Sequence, residues 1–201
     1  HLIAKSKYED QLEQIKDALR QIEGAFCLVI LTDNFLIGAR DSLGFRPLCI
    51  GKKNDSFIIT SETCALDINS AEFIREVEPS EIVVIDYNTK SIEDIKSFYF
   101  TEKKDNFKQC IFEYIYFSRP DSRIFNHNVD KVRRRLGKIL ARKYPVFDKD
   151  GDKVIVISVP DSSNTTAIGY EAELKKLGVN SKFEIGLIRS HYIGRTFISP
   201  T

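Results

Sequence analysis

The stretch VIVISVPDSSNTTAIGY, residues 154 to 170, collects Ser162, Ser163, Asn164, Thr165 and Thr166 at the mouth of a β-branched run. Hydroxyl oxygens at such a point suit phosphate groups and a hydrated Mg²⁺. A helix that starts there adds free N–H groups and the positive end of its dipole. The same residues also suit a plain helix cap, with Ser163 or Asn164 satisfying the first N–H groups and binding nothing. The glycines and lysine of a Walker loop are absent, so spacing alone favours the cap. GARDSLGFRPLCIG (38 to 51) sets Arg40 and Asp41 before a Gly44 turn and Arg46-Pro47 after it, and reads as a charge-clasped hairpin or a structural ion pair. CIFEYIYFSRPDS (110 to 122) reads as an aromatic-rich strand whose rings would ordinarily be core. Asp148 to Asp152 looks like a calcium loop, but its glycine is at the fourth place and Val159 stands at the twelfth, so it is read as a turn. On a helix, Arg133, Arg134 and Arg135 point three ways and form no stripe for nucleic acid. They are expected on a solvated face.

The elements that must position these groups fall into two textures. An amphipathic helix is expected over Tyr8 to Ile22, from the spacing of Leu12, Ile15, Leu19 and Ile22, with Gly24 ending it. Short strands follow at Phe26–Leu31, Phe35–Ala39, Leu48–Gly51, Ser56–Ser61, Glu81–Asp86 and Ser91–Phe100. Turns are expected at Asp33-Asn34 and at Tyr87 to Lys90. A polar stretch near residues 102 to 108 marks a boundary. Beyond it come a helix at Asp130–Tyr144 with Val132, Leu136, Ile139 and Leu140 on one face, a strand at Val154–Val159, a helix at Asn164–Leu177 and a strand at Lys182–Ile188. The continuous β-branched strand suggests a parallel sheet covered on both faces. The fold class is therefore α+β followed by α/β, divided into residues 1–104 and 105–201.

Bulk properties restrict function. Thirty Lys and Arg against 29 Asp and Glu provide no global field for nucleic acid or membranes. No apolar run reaches the ~18 residues of a membrane span. Cys27, Cys49, Cys64 and Cys110 show no C-x-x-C spacing, which fits a reducing cytoplasm. There is no methionine, and the chain opens on His1-Leu2-Ile3. An internal piece of a longer protein is expected.

Taken together, GARDSLGFRPLCIG, SETCALD (61 to 67), CIFEYIYFSRPDS, VPDSSNTTAIGY and GLIRSHYIGRTFISP (186 to 200) resemble the amidophosphoribosyltransferases, from about Gly24 to the last residue. The resemblance implies the end of an N-terminal-nucleophile glutaminase sandwich and the start of an open-sheet phosphoribosyltransferase domain. It implies the committed step of purine synthesis, in which ammonia from glutamine displaces pyrophosphate from phosphoribosyl pyrophosphate. It also implies glutamine and the ribose donor as substrates, purine nucleotides as feedback inhibitors, and a homo-oligomer. The nucleophilic cysteine would lie upstream, so no catalytic residue is expected in this chain, which alone would be inactive. By the same resemblance Asp161, Ser162 and Ser163 form the pyrophosphate loop, and Ser162 ligates Mg²⁺. Tyr192, Arg195 and Thr196 belong to a flexible loop that closes over the donor. Phe112 to Phe117 line the ammonia path, and Cys110 matches a [4Fe–4S] ligand of one branch. Another amidotransferase of the same nucleophile class, or a non-catalytic nucleotide-binding homologue, would share parts of this pattern. Where relatives often have Lys-Asn-Arg before the loop tyrosine, this chain has Arg189-Ser190-His191.

Overall fold

The computed structural model describes residues 1–102, 107–148, 151–190 and 192–194. They pack as two compact units, the first comprising His1–Glu113 with Asp121–Asn126 and the second Tyr114–Pro120 with the chain from His127 onward. The boundary expected between residues 104 and 105 falls on residues outside this description.

In the first unit, α1 (Leu2–Lys5) precedes α2 (Gln11–Arg20), which begins where the Asp10 carboxylate accepts the Glu13 N–H at 2.9 Å. The helix is shorter than Tyr8–Ile22 because this cap sits inside the periodic run, and Gly24 turns the chain later, with φ +108°. Strands β1 (Cys27–Leu31), β2 (Phe35–Arg40), β6 (Glu81–Asp86) and β7 (Lys96–Tyr99) form one antiparallel sheet in the order β1-β2-β6-β7. Asp33-Asn34 makes the expected tight turn, with the Thr32 N–H donating to the Phe35 carbonyl at 2.9 Å. Strands β3 (Cys49–Lys53), β4 (Ser56–Thr60) and β5 (Glu72–Glu76) form a second sheet in the order β4-β3-β5, with α3 (Thr63–Ile68) between β4 and β5 in sequence.

Alternation on the strands decides the layers. Ile37, Ala39, Ile82 and Val84 face Ile15 and Leu19 of α2. Val83 points the other way, into a core with Ile50 of the second sheet and with Leu48 and Val77, which flank β3 and β5. A Cβ on Gly51 would lie 2.5 Å from a Leu66 methyl group, so α3 covers the outer face of the second sheet at a position where only hydrogen fits.

Two expectations fail here, and two elements were not foreseen. Gly38 to Gly51 is no hairpin, since β2 and β3 belong to different sheets and the segment carries the chain from one to the other. Residues Ser91 to Ile95 stay outside β7 because the Asp94 carboxylate accepts the Lys90 and Ser91 N–H groups at 3.0 and 2.8 Å, holding a turn. Strand β5 and α3 had no clear signature in the sequence: β5 carries charge at three of its five positions.

A buried carboxylate ties the two sheets. Glu81, 1% exposed, accepts both Arg75 terminal nitrogens at 2.9 and 2.7 Å, the Ser97 hydroxyl at 2.7 Å and the Glu78 N–H at 2.6 Å. Arg75→Ala is expected to cost about 2 kcal/mol in urea unfolding of this unit. That is less than the ~3–5 kcal/mol of a fully buried pair, because a third of Arg75 is in water. A loss within measurement error would mean that the other two donors suffice.

Near the end of this unit lies β8 (Arg123–Ile124). The second unit contains a π-helix (Glu113–Phe117, all but its first residue), β9 (His127–Asn128), α4 (Val129–Lys143), β10 (Val154–Val156), α5 (Asn164–Lys176) and β11 (Ser181–Phe183). Phe112 to Phe117 is thus helical where a strand was expected. Strands β10 and β11 are shorter than expected but pair in parallel, Val154 opposite Ser181, and complete a β-α-β unit. One face of the pair packs Val154 and Val156 against Ala141 and Leu174. The other leaves Ile155 51% exposed, so the strand is not covered on both faces among the described residues.

Helix α4 also departs from its expected orientation. Its buried line is Val129, Arg133, Gly137 and Ala141, whereas Ile139 and Leu140 are each 48% exposed. The cause is close helix packing. A Cβ on Gly137 would strike the Thr166 carbonyl, and one on Gly169 the Arg134 carbonyl, so the α4 and α5 backbones touch at two glycines. Arg133, expected in solvent, is buried and donates to the Tyr114 and Ser118 carbonyl oxygens.

Candidate functional site

Strand β10 and the extended residues after it run out at Pro160, and Pro160 to Ser163 turn the chain into α5. The Ser158 hydroxyl bonds to Asn164 Oδ1 at 2.6 Å, fastening the strand exit to the first helical residue. Ser163 stands at the N-cap position but does not cap. Its hydroxyl donates backward to the Val159 carbonyl at 2.5 Å. The Asn164 N–H reaches the Asp161 carbonyl at 3.3 Å, while no acceptor among the described residues meets the N–H of Thr165 or Thr166. The Ser162 hydroxyl is half-buried and likewise has no protein partner among those residues. Thr165 Oγ1 is buried without a partner. Free N–H donors and unengaged hydroxyls at a helix start are what an anion needs, so the simple cap does not account for the turn.

A cavity of about 480 Å³ opens beside it, polar at Ser158, Asp161 and Asn164 and apolar at Ile168, Phe183 and Ile185. Arg189 lies at its rim, 3.5 Å from the Asp161 carboxylate, both groups well exposed. Ser158 and Arg189 were not singled out from the sequence as site residues, whereas Asn164 was read there as part of the polar turn or its cap. The local signal for Ser158 was its place just before the turn.

Asp161, Ser162 and Ser163 therefore share one turn. Tyr192 is fully exposed, and Arg195 and Thr196 lie outside the described residues. Cys110 belongs to the first unit, where its N–H donates to the Phe45 carbonyl at 3.0 Å. Among the described residues no three His, Cys, Asp or Glu side chains are grouped to hold a metal. Burial pushes the Cys27 thiol up to about 11 and Cys49 to about 12, so both stay protonated at neutral pH and act as small apolar groups. The Arg40 and Asp41 charges do not clasp one another. Arg40 donates to the Val77 and Gly44 carbonyls at 2.7 and 3.0 Å, and Asp41 accepts the Leu43 and Phe45 N–H groups at 3.0 and 3.1 Å. The motif is a folded turn between two sheets.

The likeness to known proteins covers the whole chain. It is 44% identical to a chloroplastic amidophosphoribosyltransferase of Glycine max, over all of this chain and 33% of that one. The corresponding values are 42%, 100% and 39% for the amidophosphoribosyltransferase of Bacillus subtilis (strain 168). Over its whole length the chain matches a part of the amidophosphoribosyltransferases. A glutamine amidotransferase domain model matches residues 2–67. The solved structure of the B. subtilis glutamine phosphoribosylpyrophosphate amidotransferase complexed with ADP and GMP aligns over all of this chain and 41% of that one, with 42% identity and a TM-score of 0.83. A structure of the allosteric regulatory enzyme of purine biosynthesis aligns with 41% identity and the same TM-score, covering 40% of that chain. The chain spans about a third to two-fifths of the length of these amidophosphoribosyltransferases. Among the described residues, no helix is long and apolar enough to cross a membrane.

Proposed function

We propose that this chain works as part of an amidophosphoribosyltransferase, converting glutamine, phosphoribosyl pyrophosphate and water into 5-phosphoribosylamine, pyrophosphate and glutamate. Residues 1–104 are assigned to a glutaminase sandwich of the N-terminal-nucleophile type and residues 105–201 to a phosphoribosyltransferase domain. The reading is carried by the Pro160–Ser163 turn, where a parallel strand hands over to a helix with unengaged N–H groups, in a chain that matches the family from end to end.

In this reading the Thr165 and Thr166 N–H groups receive oxygens of the departing pyrophosphate. Ser162 offers Mg²⁺ a hard oxygen ligand, and such an ion keeps most of its shell as water and phosphate, so one hydroxyl from the protein fits. When bound, the ion neutralises charge building up on the leaving group. Asp161, held toward Arg189, borders the same cavity. Tyr192, Arg195 and Thr196 are assigned to the closing loop. Ammonia is neutral, small and readily protonated in water, so its transfer calls for a dry path, and Phe112 to Phe117 are assigned to that path. Cys110 would be one ligand of a [4Fe–4S] cluster, the chain supplying no other cysteine near it in sequence. Purine-nucleotide feedback, a homo-oligomeric assembly and a reducing compartment such as the cytoplasm complete the reading; the four free thiols suit the last.

The test uses the complete gene product, purified without air and given the ribose donor with Mg²⁺. Pyrophosphate release is expected with either glutamine or free ammonia, and its absence with both would end the assignment.

A further inference from the structure

The SETCALD string takes no part in the donor chemistry above, yet its first residues are fully engaged. Glu62 accepts the Ser122 hydroxyl at 2.8 Å, and the Thr63 hydroxyl accepts the Arg123 N–H at 2.8 Å. From β5, Glu76 accepts the Asn126 N–H at 3.0 Å. Ser122, Ile124 and Phe125 are all buried. The Arg123 guanidinium lies over the Phe73 ring, and that of Arg40 over Phe125. Residues 121–126 are thus fastened to α3 and the second sheet, all within the first unit.

The same unit holds the chain upstream. The Lys108 N–H donates to the Leu43 carbonyl at 2.9 Å, Cys110 is bonded as described, and Arg46 pairs with Glu113 at 2.7 Å. Between these two anchorages runs Tyr114–Pro120, which belongs to the second unit. There the buried Arg133 guanidinium holds the carbonyls of Tyr114 and Ser118. A span of seven residues is therefore fixed at both ends and in its middle, while Ile115, Tyr116 and Phe117 remain about half exposed.

We infer that Glu62 and Thr63 are positioning residues: with Ser122 and Arg123 they form a clip that sets the path of the aromatic span Tyr114–Pro120 and so couples glutamine cleavage to amination of the ribose donor. The inference rests on the transfer reading above. The clip differs from an ordinary structural contact in what its loss does. Ile124 and Phe125 stay buried and keep the segment docked, whereas losing the Thr63 acceptor or the Ser122 donor leaves the Arg123 N–H or the Glu62 carboxylate to seek another partner and shifts the span. Geometric looseness far from the reacting atoms then acts on transfer.

The experiment measures, in the complete enzyme, phosphoribosylamine made from glutamine and from free ammonia, and glutamate released per amine formed. For Thr63→Val and Ser122→Ala the glutamine-dependent rate is expected to fall about tenfold, with the ammonia-dependent rate within about twofold of wild type and glutamate in excess of amine. Thr63→Ser and Glu62→Gln keep an oxygen acceptor and are expected to retain wild-type coupling. An unchanged ratio, or a parallel fall of both rates, overturns the clip while leaving the function standing. A wild-type enzyme that makes no amine from either nitrogen source overturns both.

Discussion

Replacing Gly169 by alanine is expected to loosen the helical part of the second unit rather than stabilise it. Helix propensity alone favours alanine over glycine by about 1 kcal/mol. The packing opposes it: a Cβ at residue 169 would lie 2.8 Å from the Arg134 Cα and carbonyl carbon and closer still to its oxygen. These are backbone atoms of α4, so no side chain can rotate away. Overpacking of this kind costs about 3 kcal/mol, which leaves a net loss of about 2 kcal/mol and a roughly thirtyfold rise in local opening. Amide hydrogen exchange reads this region by region. Protection should fall across Val129–Lys143 and Asn164–Lys176 and stay unchanged in β2 and β6 of the first unit, which serve as an internal reference. Gly137→Ala, whose Cβ would lie 2.8 Å from the Tyr170 nitrogen, should behave alike. Increased protection in either variant would show that propensity dominates and that the helices do not approach so closely.

The second large effect concerns Ser162. In the complete enzyme, Ser162→Ala is expected to raise KM for phosphoribosyl pyrophosphate about tenfold at limiting Mg²⁺, the scale of one polar contact of ~1–2 kcal/mol. Glutamine hydrolysis should be unaffected. The unengaged state of this hydroxyl makes the variant informative, since no fold-stabilising bond among the described residues is lost with it. Ser163→Ala is the contrasting change. Its hydroxyl holds the Val159 carbonyl, so its removal should loosen the turn itself. An unchanged KM for Ser162→Ala over a range of Mg²⁺ concentrations would remove Ser162 from the donor site.

Much of the architecture is legible without coordinates, because it rests on local periodicity. Ile15 and Leu19 face one sheet because a helix repeats every 3.6 residues. Val154 to Val156, followed by the hydroxyl turn and the helix at Asn164, already spell a β-α-β unit. The position of the candidate site, at the carboxyl end of a parallel strand, follows from that grammar. Its chemical meaning came from the flanking RPDS and YIGRTF strings rather than from the turn, whose spacing favoured a cap.

Tertiary structure decided what depends on residues distant in sequence. Hydrophobicity points Leu136, Ile139 and Leu140 inward, but contact at two glycines turns α4 so that Gly137 and Ala141 are buried instead. Arg133 enters the interior because two carbonyls of a segment fifteen and nineteen residues earlier are there to accept it. Composition alone cannot announce such a partner. Strand β5 exists because β3 offers it an edge, and two of its three charges are met, Arg75 by Glu81 and Glu76 by the Asn126 N–H. The sequence by itself determined the periodic elements, such as α2, β2, β6, α4 and α5, and where the polar turn falls, since both follow from neighbours along the chain. Only the fold could decide that the Ser163 hydroxyl turns back to Val159 while Ser162 and the first N–H groups of α5 stay open, because hydrogen bonds go to whichever groups the packing brings within reach.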